Sequence, residues 1–329
     1  MPTFSVVVPT YNRLARLKNT LAGLEQQQFP LADFEVIVIS DGSTDGTGEY
    51  LQSIRTPLNF RGLTQVNQGA AAARNLGLEQ AQGEIVLFVD DDIVPTPQLI
   101  AEHMHIHQND DGHTVVLGPM ITPPDFAMLP WVAWEQAMLE KQYNSMTSGR
   151  WAPTARQFYT GNTSLLRHHL VSHGGFDTHF RRAEDVELAY RLAKSGLRFQ
   201  FNPKAIGYHY AERSFASWLK IPYDYGRNDV QFHVDKGQKW LLPTIFREFR
   251  RQRNPLIQLL TYICLDRSRL SSSVISRLGR MAKFGSDVNL AGLTRIAYSG
   301  IFNLQYYQGV SDQLGGRKLF FNGVVTKPK

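Results

Sequence analysis

The chain of 329 residues is 43% hydrophobic and 19% charged, with a formal net charge of +6. That length and apolar content suit a large α/β domain with an extension and exclude wholesale disorder. Cys264 is the sole cysteine, which excludes an intrachain disulfide and fits a reducing compartment; no stretch approaches the ~20 consecutive apolar residues that a bilayer-spanning helix needs.

In chain order, Phe4 to Val8 is a buried-strand pattern that stops at Pro9. It has no basic flank, so it reads as a strand rather than a secretory signal. Leu14, Leu17, Leu21 and Leu24 recur at helical spacing, which predicts a helix over Leu14 to Leu24. Glu35 to Ile39 is a second strand, and Asp41-Gly42-Ser43-Thr44-Asp45-Gly46 is turn chemistry after it. Leu63 to Val66 reads as a short third strand, Ala70 to Ala81 as an alanine-rich helix, and Ile85 to Val89 as a fully apolar fourth strand running into Asp90-Asp91-Asp92. Alternation of this kind with all-apolar strands predicts a mostly parallel sheet covered by helices on both faces. Ligands of such sheets sit beyond the carboxyl ends of the strands, where both acidic clusters fall.

The next part is less regular. Leu99 to His107 suits a helix, around whose surface His103, His105 and His107 are expected to spread, so they are assigned no metal. Thr114 to Leu117 reads as a strand, Pro119 to Pro130 as a connection, Trp131 to Tyr143 as a helix, and Tyr159 to Leu166 as a return to the sheet. Gly174-Gly175-Phe176-Asp177 leads to a predicted helix from Glu184 to Lys194, with Glu187 and Arg191 as an i,i+4 pair; Phe199 to Phe201 and Ala205 to Tyr210 look extended.

After about Ser214 the chain turns helical, basic and aromatic. Leu256, Leu259, Leu260, Ile263 and Cys264 share one helix face, and Val274, Leu278 and Met281 another. Such faces either pack within the protein or lie in a membrane interface with Arg and Lys reaching the headgroups. From Arg247 to Lys329 there are 14 Lys and Arg against 4 Asp and Glu, which leaves a net −4 for Met1 to Phe246. The basic tail is either a solvated face or a surface drawn to an anionic membrane or lipid phosphate. No nucleic-acid-binding motif accompanies the charge, so nucleic acid is not expected as a partner.

Three adjacent carboxylates at a strand end repel one another, and a hard divalent cation would cancel that repulsion. Mg²⁺ or Mn²⁺ takes few protein ligands besides nucleotide phosphates, with Asp92 the better ligand and Asp90 or Asp91 turned to sugar or ribose; an acidic loop or helix cap is the plainer alternative. Asp41 at a strand tip can accept hydrogen bonds from a nucleobase or ribose, although Asp-Gly-Ser is also ordinary turn sequence. Pro9-Thr10-Tyr11-Asn12 could line the same pocket, with Tyr11 stacked on a base or merely exposed in a turn. Glu184 and Asp185 open a predicted helix, where a capping role is open to them. Alternatively Asp185 serves as general base for a sugar hydroxyl, with Glu184 orienting it or the acceptor. His209, between Tyr208 and Tyr210, can ligate a metal, contact phosphate or pack.

Taken together, Val6-Val7-Val8-Pro9-Thr10-Tyr11-Asn12, Val38-Ile39-Ser40-Asp41-Gly42-Ser43-Thr44-Asp45, Gly69-Ala70-Ala71-Ala72-Ala73-Arg74-Asn75-Leu76-Gly77, Phe88-Val89-Asp90-Asp91-Asp92, Gly161-Asn162 and Gly174-Gly175-Phe176-Asp177 followed by Glu184-Asp185 resemble family 2 glycosyltransferases over about residues 1 to 215. The resemblance implies an α/β GT-A fold (that of nucleotide-diphospho-sugar transferases) for residues 1–213. The nucleotide-binding half would be about 1–118 and the acceptor side 119–213, followed by a helical basic region over 214–329. It implies an inverting, metal-dependent transfer from a nucleotide-diphosphate sugar, with a uridine nucleotide favoured, to a glycan or lipid-linked glycan. By that resemblance Pro9, Tyr11, Asp41, Arg74, Asn75, Asp90 and Asp91 contact the donor. Asp92, with His209 as a further contact, holds Mn²⁺ or Mg²⁺, and Asp185 is the base beside Glu184. The Gln-x-x-Arg-Trp motif of processive members is absent after Asp185, so a single transfer is expected. The setting expected is cytoplasmic, peripheral to the membrane. A sugar-nucleotide nucleotidyltransferase would want a basic, Gly-rich stretch at the first strand, and a non-catalytic glycan- or lipid-binding protein would not need the acidic set.

Overall fold

A computed structural model describes residues Pro2 to Gly323. Residue 1 and residues 324–329, with Lys327 and Lys329 of the basic tail, lie outside the described residues. The chain forms two compact units: one runs to Ala127 and resumes over Gln136–Ala211, the other comprises Met128–Glu135 and the residues from Glu212 on.

The first unit begins with β1 (Phe4–Thr10), α1 (Leu14–Glu25), β2 (Phe34–Asp41), α2 (Thr47–Ser53), β3 (Asn59–Gln65), α3 (Ala70–Gln80) and β4 (Ile85–Val89). It continues with β5 (Ile93–Pro95), α4 (Leu99–His107), β6 (Thr114–Leu117) and β7 (Met120–Ile121). Then come α5 (Pro130–Thr147), whose residues up to Glu135 belong to the other unit, β8 (Asn162–Leu166), α6 (Arg167–Ser172), α7 (Glu184–Lys194), β9 (Arg198–Phe201) and β10 (Gly207–His209).

Among the described residues the strands form a seven-stranded sheet in the order β3-β2-β1-β4-β8-β6-β9 and a three-stranded sheet in the order β5-β10-β7. In the larger sheet only β8 runs against its neighbours. The mostly parallel sheet expected from the alternating apolar runs is therefore present, and β1, β2 and β4 are wholly buried. β3 starts four residues before the expected strand because Asn59 to Gly62 pair with Glu35 to Val38. It is an edge strand with three of its seven residues exposed and none buried, so it does not carry the apolar run that marks a central strand.

The histidine series departs from expectation. His103 is fully buried, with Nδ1 2.7 Å from Ser164 Oγ and Nε2 2.9 Å from Asn162 Oδ1. His107 Nε2 lies 2.8 Å from the same Ser164 oxygen. Burial pushes the pKa of His103 down to about 3 and that of His107 down to about 4, so both rings are neutral structural groups. The inward placement follows from α4 packing on the sheet, where β8 supplies polar partners for rings that would otherwise be costly to bury. Asn162 is the hub: its Nδ2 also donates to Pro119 O (3.1 Å) and Ala205 O (2.7 Å). Asn162→Ala strands those groups in a dry interior and is expected to destabilise the fold by about 2–4 kcal/mol, read as a lower urea midpoint with unchanged slope.

The second unit contains α8 (Phe215–Val234), α9 (Leu241–Arg251), α10 (Pro255–Cys264), α11 (Ser268–Asp287), α12 (Ala291–Leu314) and α13 (Arg317–Asn322). α8 and α12 touch backbone to backbone: a Cβ at Gly226 would lie 2.1 Å from Tyr306 O, and one at Gly309 2.0 Å from Tyr223 O. Val274, Leu278 and Met281 pack on the core around Trp218 and Ile301. α10 follows its leucine stripe inward only in part: Cys264 is buried and Leu260 half-buried, with Thr261 buried and Ile257 packed on the neighbouring core, while Leu256, Leu259 and Ile263 stay exposed. Among the described residues no helix is long and apolar enough to cross a membrane.

Candidate active site

The site lies at the carboxyl ends of β2, β1 and β4, which are adjacent in the sheet. Two strand spacings of ~4.8 Å put the tips of β2 and β4 about 10 Å apart. Asp41 closes β2 and is buried. Its Oδ1 accepts from Gln65 Nε2 (2.7 Å) and Gln68 N (2.8 Å), and Oδ2 accepts from Gly69 N (2.8 Å). This carboxylate therefore shapes the turn into α3. Pro9 is buried near the end of β1, beyond the last β4 pairing of Val7 with Phe88. Tyr11 is exposed, and Asn12 beyond it has a left-handed φ of 53°. The Asn12 side chain is tied to the Asp41 turn by accepting from Thr44 N at 2.7 Å.

The three aspartates after β4 have separate partners. Asp90 is the most open, its Oδ1 2.8 Å from Arg74 Nη2. Asp91 is buried, accepting from Thr10 Oγ1 (2.7 Å) and Arg13 Nη1 (3.2 Å). Burial outweighs Arg13 and, with Asp92 and Asp90 close by, pushes Asp91 up to about 6. Asp92 Oδ2 accepts from the same Arg13 nitrogen at 2.5 Å. Its Oδ1 faces His209 Nε2 at 3.8 Å, a placement set by β10 pairing with β5 and by Tyr210 N donating to Asp92 O at 2.9 Å.

The second carboxylate pair comes from α7. Ala183, at its N-cap, holds a left-handed φ of 60° although it has a Cβ; strain of this kind concentrates at functional sites. Glu184 Oε1 is 2.8 Å from Arg74 Nη1. Arg74 is thus a buried fork joining Glu184 to Asp90, and its Nε has no hydrogen-bond partner among the described residues. Asp185 Oδ1 accepts from Val186 N at 2.8 Å. Burial raises its pKa most, and Glu184 raises it further; the Val186 amide and Arg74 pull it down, Asp90 pushes it up, and the balance is about 7. Asn75 spends both ends of its amide on Phe176, donating to the carbonyl and accepting from N–H at 2.8 Å each. It holds the loop before α7 onto α3.

A divalent ion fits the Asp92–His209 pair by donor chemistry. The 3.8 Å gap is too long for a hydrogen bond, and a carboxylate with an imidazole is a donor set that would hold such an ion. Among the described residues no three His, Cys, Asp or Glu gather around a common point. Such a site would draw its remaining ligands from phosphates and water, as Mg²⁺-type ions do. Arg13 and Arg16 went unnoticed in the sequence. Arg16 is sandwiched between the Phe126 and Tyr210 rings at 5.2 and 5.1 Å. The available signal was the pair of arginines directly after the first strand tip.

The chain covers 60% of its own length and 53% of the relative's in a match, 32% identical over 222 residues, to validoxylamine A glucosyltransferase of Streptomyces hygroscopicus subsp. jinggangensis. It therefore spans about half the length of that curated relative. The mannosyltransferase PcManGT from Pyrobaculum calidifontis, solved with GDP-Man and Mn²⁺, superposes with a TM-score of 0.57 at 20% identity, covering 95% of this chain and 87% of that one. TarS 1-349 of S. aureus in complex with UDP gives 0.55 at 21% identity, covering 95% and 92%. At such identities the likeness establishes the fold, which is GT-A. The model for glycosyl transferase family 2 matches residues 5–174, and the chain belongs to that family.

Proposed function

We propose that this protein transfers a sugar from a nucleotide-diphosphate sugar to a hydroxyl of a glycan or lipid-linked glycan, with inversion at the anomeric carbon. The observation that carries this reading is the Arg74 fork, which ties Asp90 at the end of β4 to Glu184 beside Asp185 at the start of α7. Carboxylates far apart in sequence thereby share one place, those by β4 on the donor side and those on α7 on the acceptor side. Asp185, with a pKa near neutrality, takes the proton from the attacking hydroxyl. Glu184, fixed by Arg74, orients the acceptor; Asn75 acts by holding the Phe176 loop in place. Asp41 and the Pro9–Tyr11 tip frame the base and ribose, with Asp90 and Asp91 toward sugar and ribose.

Asp92 and His209 would hold Mn²⁺ or Mg²⁺, which when bound stabilises charge on the departing diphosphate. The GDP-Man and Mn²⁺ of one structural relative and the UDP of another support a nucleoside diphosphate and a divalent metal as the ligand classes; a uridine nucleotide remains the favoured donor. The reading takes residues 1–213 as the catalytic region and 214–329 as a basic region that brings the enzyme to the cytoplasmic face of a membrane. The test is proton NMR of sugar released or transferred from a panel of nucleotide sugars. One donor should be turned over with inversion; turnover of none, or a retained anomer, would refute the reaction proposed.

Arg13 bears on the metal. Its guanidinium occupies the two aspartates that a cation would approach, so metal must compete with an internal positive charge. Arg13→Gln is expected to tighten Mn²⁺ binding about tenfold without nucleotide, measured from the EPR signal of free Mn²⁺. Unchanged or weaker binding would show that Arg13 does not compete.

A further inference from the structure

The second unit leaves two unusual features side by side on its surface. The first is α10, which has no charged residue, buries Thr261 and leaves apolar side chains out. Leu256 is 62% exposed, Leu259 54%, Tyr262 60% and Ile263 38%. The second is a cleft of about 480 Å³ lined by Pro243, Phe246, Arg247, Arg250, Arg251, Asn322 and Gly323. Its three arginines occupy positions i, i+3 and i+4 of α9, so they share a face. No carboxylate lines the cleft among the described residues, and residues 324–329 include no Asp or Glu. Arg247 donates to Thr244 Oγ1 at 3.4 Å, and Arg250 donates to Phe321 O at 3.0 Å.

Aromatic and cationic contacts join the two features. The Tyr262 ring on α10 lies 5.4 Å from that of Phe321, the residue whose carbonyl Arg250 holds. Arg317 sits over both rings, at 4.8 and 5.0 Å. The result is one continuous face, apolar along α10 and cationic around the cleft.

We propose that this face docks on an anionic phospholipid surface, with the leucine stripe of α10 entering the acyl boundary and the cleft arginines holding headgroup phosphates. Charge complementarity selects the occupant: guanidinium forks pair with phosphate oxygens, while apolar side chains beside them gain by leaving water. The inference rests on the peripheral-membrane part of the reading above and is independent of the catalytic part.

The test is cosedimentation of the full chain with vesicles of phosphatidylcholine alone or of phosphatidylcholine with phosphatidylglycerol. The protein should bind the anionic vesicles and not the neutral ones, less so as salt rises. At roughly fivefold per arginine, R247Q/R250Q/R251Q should weaken binding about 100-fold. L256S/L259S should weaken it about tenfold or more. Circular dichroism should show unchanged helicity in both variants, as the positions are exposed; if the leucine pair lowers it, Leu256→Ser alone serves. Equal binding to both vesicle types, no binding, or binding unaltered by either variant would overturn the proposal. Donor binding does not enter the readout, so a failure here is distinguishable from failure of the transferase reading.

Discussion

Asn in place of Asp185 should lower the rate of sugar transfer about 10³-fold while leaving nucleotide affinity within about threefold, since loss of a general base typically costs 10²–10⁴. The pH profile carries the same information. A base must be ionised, and burial with Glu184 and Asp90 nearby raises Asp185 to about 7. For the native enzyme kcat/KM should therefore climb with pH, tenfold per unit below about 7, and level off above it. The Asn variant should lack that limb. Stability should move the other way. An acid whose folded pKa is raised leaves the fold unpenalised at low pH, below its unfolded value. The penalty grows as pH rises toward the folded pKa and is complete above it. At pH 8 the native protein carries a crowded anion at the start of α7, so Asp185→Asn should raise stability by about 2 kcal/mol, a gain that fades as pH falls through 7. A variant that is slower, more stable and flat in pH is the signature of a base. One that is merely unfolded, or fully active, contradicts the assignment.

Asp92→Ala should be the second large effect. Asp92 is the carboxylate that faces His209, and nothing else among the described residues replaces it at that point. On the proposed reading its loss would leave one protein ligand and remove the anion that would offset the cation's desolvation. Mn²⁺ binding in the presence of nucleotide, followed by EPR, should weaken about 100-fold. Metal-free nucleotide binding should change little. Equal Mn²⁺ affinity in the two proteins would remove Asp92 from the ligand set. His209→Ala should show a smaller effect in the same direction, because phosphate and water can take the imidazole's place.

Much of the sheet up to β4 was legible because the relevant signals are local. The buried strands read as apolar runs, each run ended at a polar tip, and the strand order then aligned Asp41 with Asp90 to Asp92 along one sheet edge. What was not legible depends on pairs distant in sequence. Arg13 meets Asp91 and Asp92 across 78 and 79 residues, and Arg74 meets Glu184 across 110. The His103 series shows a second limit. Period-two spacing on a helix says that side chains diverge, but not that one of them meets Asn162 and Ser164 inside the fold. α10 shows a third. Periodicity found the stripe, yet only its Leu260 and Cys264 side turns inward, together with Ile257 and Thr261, while Leu256, Leu259 and Ile263 stay exposed.

Ala183, before α7, and Asn12, after β1, both hold left-handed backbones although they carry side chains. Each such residue costs of order 1 kcal/mol or more, which the surrounding contacts must offset. Asn12 is secured by its bonds to Ser43 and Thr44, and Ala183 by its burial ahead of α7.

Calorimetric titration of the protein with a panel of nucleoside diphosphates, each with and without Mn²⁺, is the most direct check on a donor site at the ends of β1, β2 and β4. One nucleotide should bind in the micromolar range, at least tenfold tighter with the ion present. Absence of binding by every member of the panel, with or without metal, would contradict it.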